Sequence, residues 1–245
     1  MLAELLGTGL LVTTVVGSGI AAQRLSPDDV GLQLLENSTA TVLGLTVLIL
    51  LFGPVSGAHL NPVVSLADWF LGRRTGQGLS LREVGAYAGA QVVGAVGGAV
   101  LANAMFGVAT TVSTTDRATP GHFLAEVVAT TFLVALIFAL ARSGRGVLAA
   151  PAVGAYIGAA YWFTSSTSFA NPAVTVGRVF SDTFAGIAPA SAPAFVAAQL
   201  VGLTIGVLVT LGLYPDVGAS ADDVVIPHPG ELSDHAATSS TDRSH

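Results

Sequence analysis

The chain has 245 residues, 52% of them hydrophobic and only 10% charged, with a mean hydropathy of +0.73. An ordinary soluble domain carries about 25% charged residues, so this is the composition of an integral membrane protein. The absence of cysteine excludes disulfide frameworks, thiol catalysis and Cys-ligated metals. The net charge of -6 arises largely at the C-terminus, from Asp216, Asp222, Asp223, Glu231, Asp234 and Asp242, and no basic patch supports nucleic-acid binding.

Runs of mostly apolar residues near 2–23, 37–56, 84–107, 122–142, 147–167 and 193–213 have the length of about 20 residues that a spanning helix needs. Six membrane spans are expected. The first lacks the positive leading segment of a signal peptide and carries Glu4, so it reads as a mature helix. After the second span comes Ser-Gly-Ala-His-Leu-Asn61-Pro62-Val63, and after the fifth Ser-Phe-Ala-Asn171-Pro172-Ala173. Asn is a favoured N-cap and Pro suits the first helical turn, so each Asn-Pro predicts a helix start. Gly72-Arg73-Arg74 ends the first of these after 62–71, and the second is expected over 172–181. Each is a half-helix of about 15 Å, and two together match a hydrocarbon core of about 30 Å. Their first N–H groups lack intrahelical partners, so they must begin inside protein or against a water-filled cavity.

An internal repeat gives the same picture. Ala-Glu4-Leu-Leu-Gly-Thr matches Ala-Glu126-Val-Val-Ala-Thr, Asn61-Pro62 matches Asn171-Pro172, and Ala-Gln91-Val-Val-Gly matches Ala-Gln199-Leu-Val-Gly. Each copy holds three spans, an odd number, so the second copy is inverted and the two Asn-Pro loops enter from opposite faces. The expected divisions are a first repeat over 1–108, a connecting extracellular loop over 109–121, a second repeat over 122–214 and a disordered acidic tail over 215–245. Arg73, Arg74, Arg82, Arg142 and Arg145 follow the even spans, against Arg24, Arg117 and Arg178 after the odd ones. That excess sets the first group, and with it both termini, in the cytoplasm.

Asn61 and Asn171 are the first candidates for function. A capping Asn uses its side-chain oxygen on backbone N–H groups and keeps its NH2 to donate to a passing hydroxyl. Two facing helix N-termini, each equivalent to about half a positive charge, disfavour cations between them. Glu4 and Glu126 are intramembrane carboxylates, a type that is usually functional, and a proton relay is one reading of them. His59 lines a vestibule or holds its loop; with no second His or Cys at ligand spacing, no metal is expected. Gly94, Gly97, Gly98, Gly202 and Gly206 suit close helix approach, within the bundle or between subunits.

The paired Asn-Pro motifs in matched hydrophobic halves resemble the aquaporin (major intrinsic protein) family over roughly 2–214, with Asn-Pro-Val in place of Asn-Pro-Ala at the first motif. The resemblance implies an all-α membrane protein of six transmembrane helices plus two re-entrant half-helices. It further implies a passive channel without cofactor, a homotetramer with one pore per subunit, and glutamates at Glu4 and Glu126 that accept hydrogen bonds from the loops. Water-selective members place an Arg directly after the second motif, where this chain has Val174. Counting without gaps from each Asn, the other constriction positions fall on Thr41, Ala159 and Ser168, which predicts a wide selectivity filter free of arginine. That resembles the aquaglyceroporins, and bacterial members associated with arsenical passage. Arg178, one turn past Val174, either reaches the outer mouth or pairs with Asp182 at i+4. The expectation is a plasma-membrane channel for water and small neutral solutes, glycerol and arsenite or organoarsenicals included. Alternatives are an ion-coupled secondary transporter, a formate or nitrite channel, and a closed structural or water-selective member. No Ser-His-acid set, metal cluster or nucleotide loop suggests an enzyme.

Overall fold

The computed structural model describes residues 1–73 and 76–215, and among these all regular structure is helical. In chain order the helices are α1 (Leu2–Leu25), α2 (Val30–Ser56), α3 (Pro62–Gly72), α4 (Leu81–Met105), α5 (Pro120–Arg142), α6 (Ala149–Phe163), α7 (Pro172–Gly177) and α8 (Ala192–Leu213). Short 3-10 turns at Gly146–Leu148 and Arg178–Phe180 lead into α6 and out of α7. Counting the turn before α6 with it, six elements are long and apolar enough to cross a membrane; α3 and α7 are the two half-helices. Arg74 and the tail from Asp216 onward lie outside the described residues.

Two boundaries differ from expectation. α2 begins at Val30, ahead of the apolar run that starts at 37, because Asp29 caps it by accepting from Leu32 N at 2.9 Å. Its polar first turns are bound to neighbours: Gln33 donates to Ser26 O at 2.7 Å and Asn37 to Val15 O at 2.8 Å. Hydropathy misses such a segment although it is helical. α7 is six residues long rather than ten, and Arg178–Phe180 tightens into the 3-10 turn. At Gly177 the chain presses on α4, where an added Cβ would lie 2.7 Å from Ala95 O.

Close approach of backbones joins the spans. A Cβ at Gly94 or Gly98 of α4 would stand 2.1 Å from Leu5 O or Gly9 O of α1. In the second half, Gly202 and Gly206 of α8 approach Val127 O and Thr131 O of α5 at 2.6 and 2.7 Å, measured the same way. Threonines reinforce both crossings: Thr13 donates to Gly98 O and Thr131 to Gly202 O, each at 3.1 Å. These four glycines therefore serve packing within the chain, whereas a Cβ at Gly97 would meet nothing within 4 Å. Small residues let membrane helices gain dispersion contact where the hydrophobic effect offers little.

Because the spans alternate in direction, the ends of α2 and α5 lie on the face that carries the N-terminus of α1 and the C-terminus of α8. The loop 57–61 enters from that face and the loop 164–171 from the opposite one. Large side chains such as Leu43, Val47, Leu51, Phe132 and Leu208 are exposed on the outer surface, as lipid contact requires.

Candidate functional site

Each Asn-Pro builds a capped helix start. Asn61 Oδ1 accepts from Val63 N at 3.1 Å, while Asn171 Oδ1 accepts from both Ala173 N and Val174 N at 3.0 and 3.2 Å. The two amide groups then cross the junction: Asn61 Nδ2 donates to Ala170 O and Asn171 Nδ2 to Leu60 O, each at 2.8 Å. Each NH2 thus uses one hydrogen to tie the opposing loop and keeps a second with no partner among the described residues. Pro62, Val63 and Ala173 are buried behind the caps, and Pro172 is partly so.

Both loops are held in left-handed backbone conformations at non-glycine residues, with φ of 46° and 48° at Ala58 and Leu60 and of 52° and 47° at Ser168 and Ala170. Such residues cost about 1–3 kcal/mol each and persist only where surroundings impose them. The imposing group is a buried carboxylate in each half. Glu4 accepts from Ser56 Oγ (2.6 Å), His59 N (3.1 Å), Leu60 N (2.7 Å) and Gln91 Nε2 (2.7 Å). Glu126 accepts from Ser166 Oγ (2.6 Å), Phe169 N (2.8 Å), Ala170 N (2.8 Å) and Gln199 Nε2 (2.7 Å). The inverted repeat is therefore preserved donor by donor. The glutamines extend it, since Gln91 also reaches Ser65 Oγ and Gln199 reaches Thr175 Oγ1. A carboxylate engaged by four donors is an anchor that fixes the loop geometry.

A cavity of about 60 Å³ runs between the half-helices and past both asparagines. That is room for a short file of waters. Towards the face of the α1 N-terminus and the α8 C-terminus it is walled by Ile49, His59, Ile137 and Val153, and at its middle by Leu60, Asn61, Val64 and Asn171. His59 is held there through Nδ1 and Ser65 Oγ at 3.0 Å and by ring contact with Tyr87 at 5.3 Å. Towards the opposite face the wall is Thr41, Tyr161, Ser168, Phe169, Val174 and Arg178.

Three of the four residues expected at a constriction, Thr41, Ser168 and Val174, thus share one part of the cavity. Ala159 does not. It lies on the exposed face of α6, and the α6 residues on the cavity are Val153, Ile157 and Tyr161, of which Tyr161 lies nearest this end. At roughly 100° per residue, a two-residue slip turns a side chain to the other side of a helix. Tyr161 brings an aromatic ring to the cavity, its hydroxyl 3.2 Å from Thr41 Oγ1.

Arg178 does not pair with Asp182. Asp182 instead accepts from Thr114 N and Oγ1 at 2.9 and 3.0 Å, and those bonds hold its carboxyl below the usual aspartate range. The Arg178 side chain is buried, donates from Nε to Ala185 O, and sets its guanidinium 3.5 Å from the centre of the Phe169 ring. Arg117, in the segment joining the two halves, donates from Nε to Gly186 O (2.8 Å) and from Nη2 to Phe184 O (3.0 Å). Its guanidinium is 5.5 Å from the same ring. Burial pulls Arg117 below the ordinary arginine value. The sequence offers no local signal for Arg117, Tyr161 or Phe169, because only the folded loops bring them to this end.

Two capped half-helices meeting end to end, a cavity passing both caps and six spans around them define a transmembrane channel built as an inverted repeat. The chain belongs to the major intrinsic protein family, whose model, described as Major intrinsic protein, matches residues 1–168. It is 50% identical over 202 residues to Aquaglyceroporin AqpS of Rhizobium meliloti (strain 1021), covering 82% of this chain and 83% of that one. It is 32% identical over 213 residues to a Glycerol uptake facilitator protein of Pseudomonas aeruginosa, covering 77% and 75%. Among solved structures, the X-ray structure of the aquaglyceroporin from Plasmodium falciparum shares the fold, with a TM-score of 0.61 at 20% identity over 89% of this chain and 97% of that one. Membership makes the protein a multi-pass membrane channel and not an enzyme.

Proposed function

We propose that the protein conducts water and small neutral polyol-like solutes passively, with glycerol and arsenous acid as the expected substrates. The observation that carries this reading is Val174 on the cavity wall, directly after the Asn171-Pro172-Ala173 motif, where a water-selective channel would present a long guanidinium. A short apolar side chain leaves cross-section for a three-carbon polyol, and Asn61 and Asn171 each keep a donor for its hydroxyls. Arsenous acid is neutral near pH 7 and presents the same hydroxyl groups. The relatives named for glycerol and aquaglyceroporin function support the same class of solute. Tyr161 and Phe169 make the passage narrower than an all-aliphatic ring would, which favours slender solutes over branched ones.

Coupled transport is disfavoured because Glu4 and Glu126 are each engaged by four donors of the loops and neighbouring helices, whereas a coupling ion needs ligands free to receive it. We further assign the face carrying both chain ends to the cytoplasm, from the arginine distribution. The bacterial relatives point to the plasma membrane, and family resemblance to a homotetramer with one channel per chain. Stopped-flow light scattering on proteoliposomes, comparing water, glycerol and arsenite, tests the reading. Rapid, non-saturating flux of all three is expected; passage of water alone would overturn it.

A further inference from the structure

The cavity end opposite the α1 N-terminus carries one buried cation, Arg178, with a second, half-buried one, Arg117, behind it. Arg178 is 2% exposed, and among the described residues no carboxylate pairs with it or with Arg117. Their anchors are neutral and consecutive: Arg117 takes Phe184 O and Gly186 O, and Arg178 takes Ala185 O between them. Phe169 presents its ring to both guanidinium groups. Among the described residues only Nε of Arg178 has an acceptor, and its two Nη groups have none there while the residue lines the cavity. Beside it, Ser168 Oγ is also buried without a partner. An uncompensated charge in so dry a setting is costly.

Resting on the channel reading above, we infer that Arg178 is a specificity-determining residue, the positive charge of a filter whose conventional position is occupied by Val174. Moved four residues past Val174, the charge keeps its field in the passage while its bulk lies against Phe169, away from the point where Val174 meets the solute. Size selection and charge selection are then separate: Val174, Tyr161 and Thr41 set the width, and Arg178 rejects cations while its free N–H groups donate to solute oxygens. Arg117, behind the wall, adds to the same field and binds the carbonyls of Phe184 and Gly186 that flank the Ala185 O holding Arg178. In a low-dielectric wall such charges act over several ångströms with little screening.

Urea and guanidinium form a suitable probe pair, since both are small planar molecules and differ chiefly in charge. Full-length protein in liposomes is assayed for both, and the guanidinium-to-urea permeability ratio is read for wild type, Arg178→Gln, Arg178→Lys and Arg117→Gln. The ratio is expected to rise at least about tenfold in Arg178→Gln, the equivalent of about 1.4 kcal/mol. It should stay near wild type in Arg178→Lys and rise by a smaller factor in Arg117→Gln. An Arg178→Gln channel that passes urea with an unchanged ratio overturns the inference. Should that variant fail to fold, Arg117→Gln decides: its side chain lies outside the cavity wall, and an unchanged ratio there overturns the shared-field argument. Wild-type liposomes that pass neither probe nor glycerol faster than empty ones would instead defeat the channel reading itself.

Discussion

Asn61 and Asn171 hold one another's loops: each donates at 2.8 Å to the carbonyl of the residue preceding the other, Ala170 O and Leu60 O. The same two side chains therefore cap the half-helices, lock the junction and border the passage. Their contributions are unequal, because Asn171 Oδ1 holds two N–H groups and Asn61 Oδ1 holds one. Asn171→Ala should lower stability in detergent by about 2 kcal/mol, one part from the cap and one from the cross-junction bond. Asn61→Ala should cost about 1 kcal/mol less. Glycerol flux should fall about tenfold in either variant, the effect of losing one donor worth about 1.4 kcal/mol. Thermal unfolding and stopped-flow flux check both parts, and equal destabilisation would contradict the cap asymmetry.

Glu4 and Glu126 should behave alike. Replacing either carboxylate by Gln puts an NH2 group where an oxygen accepts from donors, and leaves buried N–H groups without an acceptor. Glu4→Gln and Glu126→Gln are each expected to destabilise by about 2–5 kcal/mol and to reduce all solute fluxes together. A proton relay would give another result: fluxes of neutral solutes preserved, with only a pH-driven component lost. Transport at two external pH values in each variant separates the two outcomes.

The glycines give a paired test of packing. Gly94→Ala would bring a Cβ to 2.1 Å from Leu5 O, whereas Gly97→Ala, three residues on, would meet nothing within 4 Å. The first should cost about 1–3 kcal/mol through forced separation of α1 and α4. The second should lie within about 1 kcal/mol of wild type, with helix propensity favouring Ala. Thermal unfolding in detergent measures both, and a large loss at Gly97 would point instead to a contact between subunits.

The ties of the connecting segment should loosen in acid. Thr114 N and Oγ1 depress Asp182, and Ser191 Oγ with Ala118 N depresses Asp116. A carboxyl whose folded value is lowered contributes stability above its unfolded pKa of about 3.9, and loses it as pH falls through the folded value. Hydrogen exchange at the Thr114 and Ala118 amides should therefore show steady protection from about pH 7 to pH 5 and a loss only once pH has fallen below the unfolded value of about 3.9, after correction for intrinsic exchange rates. Both carboxylates are solvent-exposed, so the effect is confined to this segment and the spans keep their protection.

The spans and both half-helix starts were legible in the sequence because apolar length and Asn-Pro capping are local signals, and the repeated Glu, Asn and Gln disclosed the inversion. What was lost depended on helix phase and termination. An ungapped count from Asn171 landed on Ala159, whereas Tyr161, two residues later, is the α6 side chain that lines this end of the cavity. Pairing Arg178 with Asp182 assumed that α7 continues; it ends at Gly177, so i+4 spacing no longer places those side chains together. Arg117 was invisible for a further reason, since its partners lie 67 and 69 residues away.

Val174→Arg is the most direct test of width. The cavity holds only about 60 Å³, so a guanidinium projecting from position 174 takes up cross-section that a polyol needs before it excludes water. Arg178 is four residues further along, and two like charges about 6 Å apart at an effective dielectric of about 20 repel by roughly 3 kcal/mol. The new side chain is therefore pushed away from Arg178 and towards Thr41 and Tyr161, across the passage. Glycerol and arsenite permeabilities should drop at least about tenfold, a barrier change of about 1.4 kcal/mol, while water permeability changes by much less. Stopped-flow measurement of all three gives the ratio directly, and an unchanged glycerol-to-water ratio would place the narrowest point elsewhere, at the Asn61 and Asn171 junction. Combining Val174→Arg with Arg178→Gln removes the repulsion. That double variant should recover the stability lost in the single one and retain the narrowed solute range, because width follows position 174 irrespective of where the second charge stands.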